Sequence, residues 1–238
     1  MIKYLLVLFL ACSCFGVNIS PEPERVEYNF AKKSVIEAIP KECLVSDEDQ
    51  LIEFGNSLAD LFLNNFSEEV TLADELHYGE KMKNASASKL QLIEDERTEK
   101  LRLILSKMKP FVARNDIPYA IILVEDKKMN AWTHAGGFIY VTTELFNFVD
   151  SEDELAFVIA HEISHNENKH CSKTIQRLKT AIDFTGDENT GTFANNILSG
   201  IFSPFDQHQE LEADLAGLYL TYSAGYDPEK ANDFFDKL

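Results

Sequence analysis

With 238 residues, 45% of them apolar, the chain is long enough for one globular domain with a sizeable core and a modest appendage. Forty acidic side chains against 22 basic ones leave a formal net charge of -18, and no basic cluster interrupts the acidity. A phosphate backbone would be repelled, which excludes nucleic acid as a partner and equally disfavours charge-driven adsorption to an anionic membrane surface.

The chain opens with Lys3 and an apolar run from Tyr4 to Val17. That run is shorter than the roughly 20 residues a bilayer-spanning helix needs, so residues 1–16 read as a secretory signal and the mature protein as exported, periplasmic or otherwise secreted. Two endings of the signal stay open. One is cleavage after Gly16; the other is a lipoprotein acceptor at Cys12, after Phe9-Leu10-Ala11, which would anchor the protein to a membrane by lipid. Beyond the signal, Cys43 and Cys171 are read either as a pair formed in an oxidising compartment or as two unpaired small apolar residues.

Residues 17–110 form a linker and an N-terminal helical region. Pro21, Pro23 and Pro40 punctuate extended chain, after which Ser46 and Asp49 cap a helical stretch with Leu51, Phe54, Leu58, Leu61 and Phe62 at helical spacing. The small residues from Asn84 to Ser88 make a break. A second long helix is expected to follow, carrying Leu90, Ile93, Leu101, Ile104, Leu105 and Met108 and ending before Pro110.

Residues 111–238 change character. Tyr119 to Val124 and Phe138 to Thr143 are short β-rich runs, and they flank a polar, glycine-containing segment from Glu125 to Gly137. Ser151 followed by Glu154 is a capping box, and Leu155, Val158, Ile159 and Ile163 give the buried stripe of a helix reaching about His170.

That helix carries His161-Glu162-Ile163-Ser164-His165. Residues four apart lie one turn apart on the same face, so two imidazoles can converge on one ion, while Glu162 lies beside that face, within reach of a water on the metal. A closed structural zinc site would favour cysteine ligands and four protein donors, which are not evident here. For the third ligand two candidates compete. If the helix continues, His170 points about 140° away from His165 and cannot join the same ion. Glu210, 45 residues past His165, shares a helical face with Asp214 in Glu210-Leu211-Glu212-Ala213-Asp214. Glu210 would then bind the metal and Asp214 would accept the outer ring proton of a ligating histidine.

The combination resembles the HExxH gluzincin metallopeptidases that include the CAAX prenyl proteases, the HtpX-like proteases and soluble periplasmic relatives active in outer-membrane quality control. Four blocks carry the resemblance over residues 118–235: Asn130-Ala131-Trp132 with Gly136-Gly137-Phe138-Ile139-Tyr140-Val141; Glu154-Leu155-Ala156 leading into the HExxH helix; Glu210 to Asp214 with Gly217; and Ala224-Gly225-Tyr226-Asp227-Pro228. The resemblance implies an α+β, predominantly helical fold, with a zincin-like core and a small β-sheet whose edge strand lies beside the HExxH helix. It also implies one Zn2+ per chain, bound by His161, His165 and Glu210, with Glu162 as general base and Asp214 behind the ligands. Polypeptides of exported or misfolded envelope proteins are the implied substrates.

An extended peptide is expected to add to Gly136, Gly137, Phe138, Ile139, Tyr140 and Val141 if that strand forms an exposed edge. The stretch from Asp183 to Phe205 reads as a mobile lid or as a merely exposed connection. The oxyanion helper is unassigned among His134, His208, Tyr219 and Tyr222, each more readily structural or exposed than catalytic. A second function class stays open: a metal-containing peptide-binding or chaperone-like module that cuts rarely.

Overall fold

In the computed structural model, residues 69–185, 205 and 207–237 are described. The signal, Cys12, Cys43, the helix capped by Ser46 and most of the proposed lid lie outside them. The described elements run in chain order as α1 (Leu72–Ala87), β1 (Leu92–Ile93), α2 (Glu96–Met108), a 3-10 turn (Lys109–Phe111), β2 (Ala120–Val124), β3 (Ala131–His134), β4 (Phe138–Thr142), α3 (Thr143–Phe148), α4 (Glu152–Glu167), α5 (His170–Thr185), α6 (Gln207–Ser223) and α7 (Lys230–Asp236). This is the expected α+β architecture, mostly helical around a small sheet.

Local chemistry sets the boundaries. The Thr71 hydroxyl accepts from the Asp74 N–H while the Asp74 carboxylate accepts from the Thr71 N–H, a reciprocal cap that starts α1. Asp95 accepts from the Arg97 N–H at 2.9 Å and starts α2. That cap corrects the expected long helix from Leu90. Asp95 is extended, and the two residues Leu92 and Ile93 pair instead with Val124 and Leu123 as an antiparallel strand. Ser151 caps α4 by accepting from the Glu154 N–H at 3.1 Å, and the Glu154 carboxylate takes the N–H of Asp150.

The four strands lie in the order β1-β2-β4-β3. Strand β4 is parallel to β2, with Ile121 opposite Ile139, and antiparallel to β3, with Trp132 opposite Tyr140. Side chains alternate across it. Ile139 and Val141 join Ile121, Leu123, Ile104, Ile159 and Ile163 in the core under α2 and α4, whereas Phe138 and Tyr140 join Trp132, Tyr78, Met82 and Ile175 in a second core under α1 and α5.

This order corrects the proposed substrate strand. Residues 138–142 are hydrogen-bonded on both sides, so they offer no free edge to a peptide; the edges are β1 and, beside α4, β3, which falls within the polar segment from Glu125 to Gly137. Gly136 and Gly137 do not lie on the strand either. Their φ values of 85° and 77° make the tight turn from β3 to β4, a conformation that costs glycine least. Strand β3 lies against α4, and the Asn166 amide donates to Thr133 Oγ1 at 2.8 Å.

Candidate metal centre

Helix α4 is buried almost throughout, from Glu154 to Asn166. Its far end is pinned by charge-assisted hydrogen bonds. The Glu167 carboxylate accepts from the Ala113 and Arg114 N–H groups and from the Tyr119 hydroxyl, while the Arg114 guanidinium donates to the Asn166 carbonyl and to buried Glu75, each at 2.8 Å. No single sequence window shows this clamp, because its members come from four separate segments.

Helix α6 crosses α4 at close range because Gly217 has no side chain. A Cβ at that position would stand 3.0 Å from the His161 backbone nitrogen and 3.1 Å from its Cα. Glu210, Asp214 and Gly217 follow the i, i+4, i+7 spacing of one helical stripe, so the close crossing that Gly217 permits also delivers the two carboxylates to the His161 turn.

At that crossing the expected residues meet. His161 Nε2 lies 3.0 Å from His165 Nε2 and 3.4 Å from a Glu210 carboxylate oxygen, and His165 Nε2 lies 3.9 Å from the other Glu210 oxygen. These three side chains are buried and form the one group of potential metal donors found among the described residues. A tetrahedral ion with ligands at 2.0–2.1 Å spaces its donors roughly 3.3 Å apart, which the observed separations bracket. Asp214 accepts from His161 Nδ1 at 2.8 Å. The bond places a proton on Nδ1 and turns Nε2 toward the other donors, where a bound cation would take its lone pair.

Glu162 stands apart from the donor group. It is buried, and its Oε2 makes no hydrogen bond. Burial pushes its carboxyl up to about 7; the nearby carboxylates Glu210 and Asp214 push the same way, and His161 opposes them. A buried carboxylate oxygen without a partner beside three converging donors is the arrangement that a divalent cation and its water would complete. The donor chemistry agrees with that reading. Two imidazoles and one carboxylate suit a borderline divalent ion and leave a fourth coordination position open. Burial works against charge on His161, but Asp214 and Glu210 outweigh it and hold that ring well above the ordinary imidazole range, whereas burial and the neighbouring histidines hold His165 well below it.

The remaining candidates divide. Helix α4 ends at Glu167, earlier than the sequence suggested, and Lys169 adopts a left-handed φ of 60° before α5 begins at His170. The chain therefore turns back, and His170 Nδ1 comes to 3.0 Å from His165 Nδ1, on the side of that ring away from the donor group. His134 is buried at the end of β3. Its Nδ1 donates to the Ala135 carbonyl, its Nε2 accepts from the Tyr140 hydroxyl, and burial lowers it to about 4, the pattern of a neutral core histidine. His208 and Tyr219 are exposed and Tyr222 half-buried, and Cys171 is a free, buried thiol. Phe205 lies flat on His165, ring centroids 3.8 Å apart.

Comparison with known proteins converges on one family. The chain is 30% identical over 138 residues to the beta-barrel assembly-enhancing protease of Yersinia pestis, covering 51% of this chain and 28% of that protein. To the mitochondrial metalloendopeptidase OMA1 of Arabidopsis thaliana it is 29% identical over 224 residues, covering 91% of this chain and 46% of that protein. OMA1 of Schizosaccharomyces pombe is 27% identical over 141 residues, 57% of this chain and 42% of that protein. The chain thus spans less than half the length of each of these relatives. The sequence profile of peptidase family M48 matches residues 95–238, more than half of the chain and all of the crossing just described, and the chain therefore belongs to peptidase family M48.

Proposed function

We propose that the chain is a zinc-dependent endopeptidase in which His161, His165 and Glu210 hold the ion and Glu162 is the general base. The observation that carries the reading is the convergence of three buried donor atoms beside a buried carboxylate oxygen with no partner. Zinc, when bound, supplies Lewis acidity to the scissile carbonyl and to the attacking water. The residues of the chain do the rest. Glu162 takes the proton that the water loses on attack and passes it to the departing amine, so the carboxylate is regenerated as the peptide bond breaks. Its burial favours this role, because a carboxylate in a dry site is a stronger base than one in water. Asp214 holds the His161 ring in one tautomer and one orientation throughout.

The substrate class is inferred from the relatives, two of which are named for proteolysis in a mitochondrion and one for assisting the assembly of β-barrels. Polypeptides of the cell envelope are the proposed substrates, met after export through the signal at residues 1–16, with Cys12 as a proposed lipid anchor. Among the described residues no helix is long and apolar enough to cross a membrane.

Casein digestion by the purified mature protein tests the activity. Hydrolysis is expected to stop with a zinc chelator and to return when zinc is restored. A rate unaffected by chelation would refute the metallopeptidase mechanism, and binding of unfolded protein without cleavage would support a chaperone-like module instead.

A further inference from the structure

The two candidate histidine ligands are oriented differently. His161 leans directly on a carboxylate, Asp214, whereas His165 leans on another imidazole. His165 Nδ1 and His170 Nδ1 stand 3.0 Å apart, and His170 Nε2 stands 3.0 Å from a Glu212 carboxylate oxygen. Two ring nitrogens at that separation share one proton. If His165 Nε2 offers its lone pair toward His161 and Glu210, the ring's own proton sits on Nδ1 and is donated to His170. His170 then carries its proton on Nε2, where Glu212 accepts it. Both imidazoles stay neutral, every ring nitrogen has a partner, and the line ends on one carboxylate.

We propose that His170 and Glu212 are positioning residues for the metal centre, an imidazole and a carboxylate in series that fix the tautomer and ring plane of His165 as Asp214 alone fixes those of His161. The inference rests on the reading of His165 as a zinc ligand. Three features support a built arrangement over a chance contact at a helix start. The Nδ1 atoms are 3.0 Å apart while the ring centroids are 5.2 Å apart, the separation of two rings that meet nitrogen to nitrogen rather than stacked face on face. Both rings are buried, with 1% and 5% exposure, so water does not satisfy His165 Nδ1 in place of His170. The left-handed Lys169, just past the end of α4 and directly before His170, makes the reversal that brings the ring back.

Competition of the full mature protein against a chromophoric chelator for zinc, at one fixed pH, tests the proposal. His170→Phe keeps an aromatic ring but leaves the His165 proton without an acceptor, and zinc is expected to bind about 10- to 100-fold more weakly, the usual loss when a ligand's supporting hydrogen bond is removed. His170→Gln restores both functions, a carbonyl oxygen to accept from His165 and an amide to donate to Glu212, and is expected within about threefold of the unsubstituted protein. Glu212→Ala should lie between them, and it keeps the test sound if His170→Phe does not fold. Equal zinc affinity in all four proteins would overturn the proposal while leaving the metal site intact. A loss in His170→Gln as large as that in His170→Phe would also overturn it, since ring packing rather than hydrogen bonding would then matter. Failure of the unsubstituted protein to bind zinc would overturn the metal reading itself and this inference with it.

Discussion

Glu162→Gln is expected to lower peptide-bond hydrolysis by about 10²- to 10⁴-fold, the contribution of a positioned general base, while zinc content and substrate binding persist. The amide has the size of the carboxyl but no basicity, and Glu162 supplies no atom to the donor group, so the ion should stay. The substitution should also leave its mark on stability. In the metal-free protein burial raises the Glu162 carboxyl to about 7, above its ordinary 4.5, so folding disfavours the charged form. The resulting stability is fully present below the unfolded value, falls as pH rises between the two values, and is absent above the folded one. Glutamine carries no charge to bury. At pH 8 the metal-free variant is therefore expected to be more stable than the unsubstituted protein by on the order of 1–3 kcal/mol, with the difference vanishing near pH 4.5. Chemical denaturation at both pH values, beside a casein assay, reads both effects. Undiminished hydrolysis in Glu162→Gln would remove the general base from the mechanism.

Glu210→Ala is expected to lose zinc rather than merely rate. With two imidazoles left as the protein ligands, binding should weaken by more than the about 10- to 100-fold that loss of a supporting hydrogen bond costs, and the purified variant should contain no stoichiometric zinc. The fold should survive. The His161 to Asp214 bond, the close crossing at Gly217 and the clamp of Glu167 on residues 113 and 114 do not involve Glu210. Zinc analysis of Glu210→Ala and Glu162→Gln side by side separates holding the ion from using it: the first is expected empty, the second full and inactive. A full complement of zinc in Glu210→Ala would place the third ligand elsewhere.

Much of this centre was legible in the sequence because its parts are local periodicities. Two histidines four apart must share a helical face, and so must Glu210, Asp214 and Gly217, whatever the rest of the chain does. That the two stripes face one another is what a third ligand requires and what the resemblance implies, and the crossing at Gly217 supplies the physical reason. What stayed hidden depends on partners distant in sequence or on one unusual backbone angle. Leu92 and Ile93 have helical spacing with the residues after them, and only pairing with Val124 and Leu123 makes them a strand. Strand β3 is four residues long and lies in a polar stretch, so its place as the sheet edge beside α4 emerges only from the order β1-β2-β4-β3.

His170 is the sharpest case. On a continuing helix it points away from His165, and the left-handed Lys169 reverses the chain and brings the two rings together. Glu212, two residues from Glu210, falls off the stripe shared with Asp214, and nothing local marks it as a partner for a histidine 42 residues earlier.

The most direct test of the centre is an anomalous-difference map from crystals of the mature protein grown with zinc, with data collected on both sides of the zinc absorption edge. One peak is expected within about 2.0–2.2 Å of His161 Nε2, His165 Nε2 and a Glu210 oxygen, with Glu162 near it but outside bonding distance. A peak held by other side chains, or none between those three, would contradict the account.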